Sequence, residues 1–582
     1  MVRLRALIPL FFLVLLAACG QPRTPSAEAS AASKELHALF DESWDHALEE
    51  DPVWASEQGD MRHADRWTDI SMAAIERRNA YDQALLARIK RIPRTELSKD
   101  DALSYDLFIY DLEMSIAEHP FGLWLLPINQ RGGIQTADEV ADALPFETPK
   151  NFADWNARLR TFGSFMDQTI ALLTEGMRRG ITHPKVVMQR VLGQIDKQIV
   201  TDATKSPFFD PYVKKPREPY ASEAKGLILS SVVPAFQKLR AFWVDKYLPA
   251  CKDGIGAWQL PDGARLYAHV VRYYTTTKLS PDEVHGIGLR EVARIRAEME
   301  KIKTATGFAG SLKDYFQFLR TDPKFFYPDG AALLTGYREL SKRIDPLLVK
   351  VFEKLPRTPY GVQAIPEHVA PDTTTAYYRE PAADGSRAGT YFVNLYKPEA
   401  RPKWEMTALT LHESVPGHHL QIALAMEQEN LPKFRRHASY TAFVEGWALY
   451  AESLGDEMGV YDDPYSKFGQ LGYEMWRAIR LVVDTGIHHL KWDRQRAIDF
   501  FLENAPKPEL DAVNEVDRYI AWPGQALAYK IGELRIKELR KKTNGRMSLK
   551  DFHDVVLRNG PLPLDILERE VMGGMAGNQG AK

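Results

Sequence analysis

The sequence predicts a mainly α-helical fold with one small β-sheet. Apolar residues recur at three- and four-residue steps over most of the chain after Glu35, which is typical of amphipathic helices. The 582 residues are 45% hydrophobic and 26% charged, the composition of a folded soluble chain. Between about 358 and 397, Pro, Thr and aromatic residues alternate instead, which predicts short strands.

The first residues have the pattern of a signal peptide. Arg3 and Arg5 precede an apolar run over 6–16. The last residue of this run begins the sequence Leu-Ala-Ala-Cys, which ends at Cys19. This run is too short to span a bilayer, which takes about 20 residues. Its ending resembles the bacterial lipoprotein box, which implies cleavage after residue 18 and a lipid on Cys19. Plain secretion is the alternative.

The rest of the mature chain is predicted as a tether followed by one folded domain. Residues 19–33 are rich in Ser, Ala and Pro, which predicts a flexible tether, and 34–582 are predicted as a single domain. With Cys19 lipidated, Cys251 would have no partner for a disulfide. The protein is therefore expected on the membrane of the bacterial cell envelope, either periplasmic or in the outer membrane.

The net charge excludes one class of partner. At −3, the chain has no basic excess of the kind that nucleic-acid binding requires, so we expect no nucleic-acid partner. No feature of the sequence indicates an oligomeric state.

Helix signals cover most of the domain. Ser280, Pro281 and Glu283 form an N-cap, a first-turn proline and a capping-box acid before an apolar series that runs to Ile302. Similar patterns predict helices over about 35–50, 70–118, 150–200, 222–247, 329–354, 404–428, 440–457, 464–492 and most of 510–570.

The helix predicted over 404–428 carries an unusual histidine motif. In zinc-peptidase helices, two histidines four residues apart bind one zinc ion, and the glutamate after the first polarises the metal-bound water. Here His412 and Glu413 are present, but Pro416 occupies the fourth position after His412. On a straight helix His418 would lie about 120° off the His412 face, and His419 about 10.5 Å further along the axis.

A break in the helix would solve this geometric problem. Pro416 cannot donate a backbone hydrogen bond and Gly417 tolerates unusual dihedral angles, so we expect a kink or bulge that brings His418 to the missing position. His419 is the alternative ligand. A helix that ends here, followed by an unrelated histidine pair, is the structural alternative.

A third ligand is available downstream. Glu445 follows His418 by 27 residues, which leaves room for a turn and an antiparallel helix. With His412, His418 and Glu445 as ligands, one zinc ion per chain would keep an open position for water. Glu452, two helical turns after Glu445, is expected to orient a histidine. The predicted metal site lies within 404–530.

These motifs resemble the signatures of a known bacterial family. His-Glu-x-x-Pro-Gly-His-His-x-Gln at 412–421 and Glu-Gly-Trp-Ala-x-Tyr-x-Glu at 445–452 resemble those of domain of unknown function 885. The resemblance extends over most of the mature chain, including 280–302 and 522–526. This family resembles the gluzincin metallopeptidases, which implies a large two-lobed helical zincin-like fold with the small β-sheet next to the active-site helix.

The remaining catalytic residues are predicted from the same chemistry. Glu413 is the expected general base, which takes a proton from the attacking water and delivers it to the leaving amine. The Arg518-Tyr519 pair resembles that of angiotensin-converting-type peptidases, which implies that Tyr519 stabilises the tetrahedral intermediate. Arg480 and His488 lie on a polar stripe of the helix predicted over 464–492, for which two interpretations stay open. The stripe either binds a substrate carboxylate, with His488 as a proton or oxyanion partner, or forms a buried ion-pair network that supports the zinc helices. The substrate-binding candidates are Arg480, Arg518, Tyr529 and Lys530.

The sequence thus predicts a zinc-dependent metallopeptidase that hydrolyses short peptides. We expect exo-action of the carboxypeptidase or dipeptidase type at a bacterial envelope membrane. Two alternatives stay open, a non-catalytic metal-stabilised binding protein and a metal-dependent amidase that acts on non-peptide amides.

Overall fold

The computed structural model describes residues 30–367, 370, 374–382, 385 and 387–578. The predicted signal peptide 1–18, Cys19 and most of the tether lie outside the described residues and stay predictions. The first helix begins at Ala31, inside the predicted tether, because the Ser30 side chain accepts a hydrogen bond from the Ser33 backbone as an N-cap.

The described chain is mainly α-helical, as predicted. Fourteen helices precede the sheet: α1 (Ala31–Glu50), α2 (Pro52–Glu57), α3 (Met72–Ile89), α4 (Lys99–Glu118), α5 (Pro149–Arg179), α6 (Lys185–Lys197), α7 (Asp210–Lys214), α8 (Tyr220–Leu227), α9 (Val233–Phe242), α10 (Leu248–Ala250), α11 (Gly263–Thr275), α12 (Pro281–Ala305), α13 (Leu312–Thr321) and α14 (Gly330–Ile344). The predicted capping box at Ser280 and Glu283 is confirmed at the start of α12.

Eleven helices follow the sheet within the described residues. They are α15 (Lys403–Glu413), α16 (His418–Met426), α17 (Lys433–Arg436), α18 (Thr441–Ser453), α19 (Gly455–Met458), α20 (Pro464–His488), α21 (Arg494–Asn504), α22 (Glu509–Ala521), α23 (Ala528–Thr543), α24 (Leu549–Leu557) and α25 (Leu564–Asn578).

The small sheet predicted over 358–397 is confirmed. It contains β1 (Tyr360–Ala364), β2 (Ala376–Arg379) and β3 (Gly389–Val393) in the order β1-β3-β2. The central strand β3 runs parallel to β1 and antiparallel to β2. The Tyr378 hydroxyl of β2 contacts the His419 ring, so the sheet packs beside the start of α16.

Two large hydrophobic clusters form the core, and α20 contributes to both. The first cluster gathers residues mainly from α5 to α9, α12, α13 and α20 to α22. The second gathers α11, α14, the sheet and most helices from α15 to α25. Met475 and Ile479 of α20 belong to the first cluster, while Tyr473 and Leu481 belong to the second. The predicted single two-lobed domain stays a prediction.

The run from Tyr220 to Ala250 is, within the described part of the chain, the one helical segment with the length and apolarity of a membrane span. Two π-helical turns join α8, α9 and α10 into this run. Several of its apolar side chains, among them Phe236 and Trp243, are fully buried in the first cluster, whereas Leu229 and Val244 are exposed. One face of the segment therefore packs into the core.

Glycines allow the helices around α18 and α20 to approach closely. A Cβ on Gly532 of α23 would overlap the carbonyl oxygen of Ala442 in α18, and a Cβ on Gly446 would lie 2.5 Å from the Gly532 Cα. On α20, a Cβ on Gly469 would overlap the carbonyl oxygen of Trp404 in α15. These contacts fix α18 against α23 and α15 against α20.

We expect Gly532→Ala to lower the free energy of unfolding by about 1–3 kcal/mol, because two backbones must separate to admit the methyl group. Gly163→Ala is the matched control, since a Cβ at that helical position meets no atom within 4 Å. The control should be neutral or stabilising by up to about 1 kcal/mol. Urea unfolding measures both, and equal values for the two variants would contradict the close-contact account.

Candidate metal centre

The helix that carries the histidine motif is interrupted. It ends at Glu413, and a second helix begins at His418. Ser414 (φ −106°, ψ −110°) and Gly417 (φ −77°, ψ −127°) both have non-helical backbone angles. The expected kink or bulge within one continuous helix is therefore wrong in form, because the helix stops and restarts. The structural alternative, a helix end followed by an unrelated histidine pair, does not hold either, because the His418 ring packs against the His412 ring.

Local sequence explains why the chain breaks here. Pro416 has no backbone N–H, so it cannot donate the hydrogen bond that would continue the helix. Gly417 comes so close to α15 that a Cβ would overlap the carbonyl oxygens of Leu411 and His412. The Trp447 indole N–H of α18 donates to the Pro416 carbonyl oxygen at 2.9 Å. Glycine and a buried hydrogen bond thus hold the break in one conformation.

The break brings His412 and His418 to the same carboxylate of α18. Each Nε2 atom lies 3.5 Å from Oε2 of Glu445. One nitrogen or oxygen atom from each residue lies within 4.8 Å of the others, and the two imidazole rings are nearly perpendicular at 87°. His412 and His418 are buried, and Glu445 is partly buried.

These separations suit a metal ion between the three side chains. Zinc binds histidine nitrogen and carboxylate oxygen at about 2.0–2.2 Å, which places ligands of a tetrahedral site about 3.4 Å apart. The observed 3.5 Å from each histidine to Glu445 agrees with that spacing and exceeds a direct hydrogen bond. The donor set is also one that zinc prefers in catalytic sites.

A second carboxylate fixes the orientation of His412. Glu452 is fully buried, two turns after Glu445 on α18, and its Oε1 lies 2.8 Å from His412 Nδ1. A carboxylate at Nδ1 leaves Nε2 free to face the cluster and makes the ring a better ligand. The Arg477 guanidinium lies 3.7 Å from the same Glu452 oxygen and gives it a counter-charge.

The charges of the cluster favour a bound cation. Burial opposes ionisation of His412, but the facing carboxylate of Glu445 and the hydrogen bond to Glu452 raise its pKa to about 9. Burial would likewise raise the pKa of Glu445, but the facing imidazoles of His418 and His412 hold it well below its usual range. A proton thus supplies the positive charge beside Glu445, and a metal ion would have to displace that proton.

His419 has other partners. Its Nδ1 lies 2.9 Å from the Tyr378 hydroxyl, its Nε2 lies 3.1 Å from the Thr358 carbonyl oxygen, and its ring packs against Tyr360. Burial lowers its pKa to about 4, which keeps the ring neutral. Of the two histidines that the sequence leaves open, the structure brings His418 to the cluster.

Glu413, the predicted general base, is available for chemistry. It follows His412 at the end of α15 and is partly exposed. Within the described part of the chain, its carboxylate has no hydrogen-bond or ion-pair partner. An unpaired carboxylate on the residue that follows a cluster histidine is a candidate proton acceptor.

The structure places Tyr519 and Arg480 in a buried network around Glu515. The Tyr519 hydroxyl donates to Glu515 Oε2 at 2.7 Å, and Arg480 donates to the Tyr519 hydroxyl at 3.1 Å and to Glu515 at 3.0 Å. Arg518 lies 3.5 Å from Glu515 and 3.4 Å from the Tyr529 hydroxyl. The hydroxyl that was expected to stabilise an oxyanion is therefore engaged with Glu515.

The side chains of Lys530 and His488 are occupied by partners within the protein, so neither is available for substrate binding or catalysis. Lys530 is fully buried and lies 2.5–3.0 Å from the carboxylates of Glu533, Glu474 and Glu291. Contrary to the prediction of a substrate-binding side chain, it forms a structural ion-pair cluster.

His488 is buried and spans two backbone groups. Its Nδ1 accepts the Ala257 N–H and its Nε2 donates to the Tyr519 carbonyl oxygen, each at 2.9 Å. Burial lowers its pKa to about 4. The predicted proton or oxyanion role does not fit a neutral ring with both nitrogens bonded.

A separate cavity of about 410 Å³, lined mainly by apolar and aromatic side chains, includes Ala257 but no residue of the metal cluster.

Two residues near the site escaped the sequence analysis. Glu515 precedes Arg518 by three residues and Tyr519 by four, a helical spacing that could have revealed it. Arg131 lies in a loop before α5, and no sequence pattern connects it to α22. The structure makes that connection, because the neighbouring Gln130 side chain donates to the Asp517 carbonyl oxygen at 2.9 Å.

The comparisons with known proteins agree with the motif resemblance. A family model described as DUF885, bacterial protein of unknown function, matches residues 52–571. The chain belongs to the DUF885 family. Among curated proteins, none matches it.

Two solved structures resemble this DUF885 protein over nearly its whole length. One, described as a candidate lipoprotein from Colwellia psychrerythraea, shares 28% sequence identity at a TM-score of 0.87 and covers 94% of this chain and 99% of its own. The other is described as a candidate lipoprotein of unknown function from Shewanella oneidensis and shares 17% sequence identity at a TM-score of 0.66. The match covers 93% of this chain and 100% of that structure's chain. At that identity the second structure shows the common fold alone.

We expect Glu452→Gln to weaken zinc binding by about 10–100-fold, because His412 loses the charge that orients its ring and raises its basicity. Competition with a chromogenic chelator measures the affinity. Glu457→Gln is the matched control, since Glu457 is a surface partner of Arg540. Equal zinc affinities for the two variants would contradict the role of Glu452.

Proposed function

We propose that this protein is a zinc-dependent metallopeptidase that hydrolyses short peptides. One observation carries the proposal, namely two histidine nitrogens that each lie 3.5 Å from the same oxygen of Glu445. A metal ion bound there would have His412, His418 and Glu445 as protein ligands. Three ligands leave a fourth position for water, as catalytic zinc sites do and structural sites do not.

The chemistry follows from the arrangement of side chains around that position. Zinc, when bound, supplies a Lewis acid that lowers the pKa of its water and polarises a carbonyl group. Glu413 has a free carboxylate that would accept the proton of the attacking water and deliver it to the leaving amine. Glu452 keeps the His412 ring in place throughout, because its carboxylate bonds Nδ1 and not the reacting groups.

The free carboxylate of Glu413 also supports an enzyme over a metal-stabilised binding protein. A purely structural site is closed by four protein ligands and has no use for a general base. The site geometry is equally compatible with hydrolysis of non-peptide amides, so the choice of peptides rests on the gluzincin-like ligand pattern.

We further propose that the mature chain is a lipoprotein of the bacterial cell envelope. The Leu-Ala-Ala-Cys sequence that ends at Cys19 supports a lipid anchor there. Both similar structures are described as candidate lipoproteins, and this agrees with the proposal.

We expect Glu413→Gln to reduce kcat for peptide hydrolysis by about 10²–10⁴-fold, because the variant cannot take up the proton of the attacking water. Zinc content should stay unchanged, since Glu413 is not a ligand. Mass spectrometry of a short-peptide panel, with non-peptide acyl amides beside it, measures turnover. Glu429→Gln is the matched control at an exposed position.

Three results would count against this function. A Glu413→Gln protein with full activity would remove the general-base role. A zinc-loaded parent that cleaves acyl amides but no peptides would favour the amidase. A zinc-loaded parent that cleaves neither would favour the binding protein.

A further inference from the structure

Two arginines pair with one carboxylate, and a third arginine from a separate loop lies near them. Arg480 of α20 and Arg518 of α22 both lie within 3.5 Å of Glu515. The loop before α5 adds Arg131, whose neighbour Gln130 is bonded to the backbone of α22. Burial and the nearby charge of Arg518 lower the pKa of Arg131, as expected where like charges face each other.

The positive charge of this group is not balanced by the protein. Glu515 is the one carboxylate that pairs with these arginines within the described residues. Asp484 is also near Arg518, but it accepts hydrogen bonds from the Tyr267 hydroxyl and the Gly524 N–H instead. The guanidinium groups of Arg480 and Arg518 therefore share one carboxylate, and Arg131 adds a third positive charge near them. A buried charge without a partner is costly, so such a group favours an anion.

Unused hydrogen-bond donors lie in the same group. The side chain of Arg480 is only 4% exposed, yet its Nη1 has no hydrogen-bond partner in the described chain. The Nε of Arg518 is likewise buried without a partner. The Arg131 side chain is partly covered by the protein but keeps solvent-exposed surface, through which a ligand could reach it. Guanidinium groups bind carboxylates through paired N–H donors, and these donors remain available.

Helix α20 connects the group to the metal cluster. Arg477, which contacts the His412 partner Glu452, precedes Arg480 by three residues, or about 4.5 Å of helix rise. The Tyr529 ring lies near three guanidinium groups. Its centroid is 5.9 Å from the guanidinium carbon of Arg477, 4.4 Å from that of Arg480 and 6.0 Å from that of Arg518.

We propose that Arg131, Arg480 and Arg518 form a subsite for the free C-terminal carboxylate of the substrate. This inference rests on the proposed function and deepens it, because it makes the enzyme selective for peptides with an unblocked C-terminus. Arg480 and Arg518 are held in place by Glu515 and Tyr519, while Arg131 closes the subsite from the solvent side.

The test compares a peptide acid with its amide in the absence of turnover. N-acetyl-alanyl-leucine and its C-terminal amide are titrated by ligand-observed NMR into zinc-loaded Glu413→Gln protein. We expect the acid to bind at least tenfold more tightly than the amide. Adding Arg131→Ala or Arg518→Gln should reduce that preference to threefold or less. Arg88→Ala is the matched control, because Arg88 pairs with Glu42 at the surface, and it should retain the preference.

The possible outcomes separate the subsite from the peptidase activity. Equal affinities for acid and amide, or no measurable binding of either, would overturn the subsite. The subsite would also be overturned if the Arg131→Ala protein has the melting temperature of the parent and keeps its full preference for the acid over the amide. This holds regardless of the result for Arg518→Gln. If the acid is preferred but the parent cleaves neither peptide, the subsite stands and the proposed function fails. If the parent cleaves both equally, the function stands without the subsite.

Discussion

The break between α15 and α16 is the constraint on which the candidate site depends. A straight helix would separate His412 from both later histidines, whereas four non-helical residues bring His418 back to the same carboxylate. Gly417 makes the required close approach possible, and the Trp447 indole bonds the Pro416 carbonyl oxygen. Because Trp447 belongs to the helix that carries Glu445, the same element holds the break and provides the third ligand.

The surroundings then turn three side chains into a metal-binding unit. Glu452 fixes the His412 ring from behind, and the tight contact of α18 with α23 through Gly446 and Gly532 fixes the position of both glutamates. Burial makes the cluster costly without a cation, since two carboxylates face the same imidazole. The polar network around Glu515 extends this environment to a region able to hold a charged ligand.

Most of the helical fold could be predicted from the sequence because its signals are local. Helical periodicity and the capping box at Ser280 depend only on neighbouring residues, and both were confirmed. The form of the break at Pro416 was not predicted, because it depends on the contacts of Gly417 and Trp447 with other elements. Most partners of Lys530 and His488 were also out of reach, because Glu291, Glu474, Ala257 and Tyr519 are far away along the chain. Arg131 had no signal for the same reason.

Metal content per chain tests the account most directly. Elemental mass spectrometry is applied to the protein without its first 29 residues, beside His412→Ala, His418→Ala, His419→Ala and Glu445→Ala. The account predicts about one zinc in the parent and in His419→Ala, and its loss from the other three variants. Zinc retained by His418→Ala, or a parent that binds none when zinc is supplied, would contradict it.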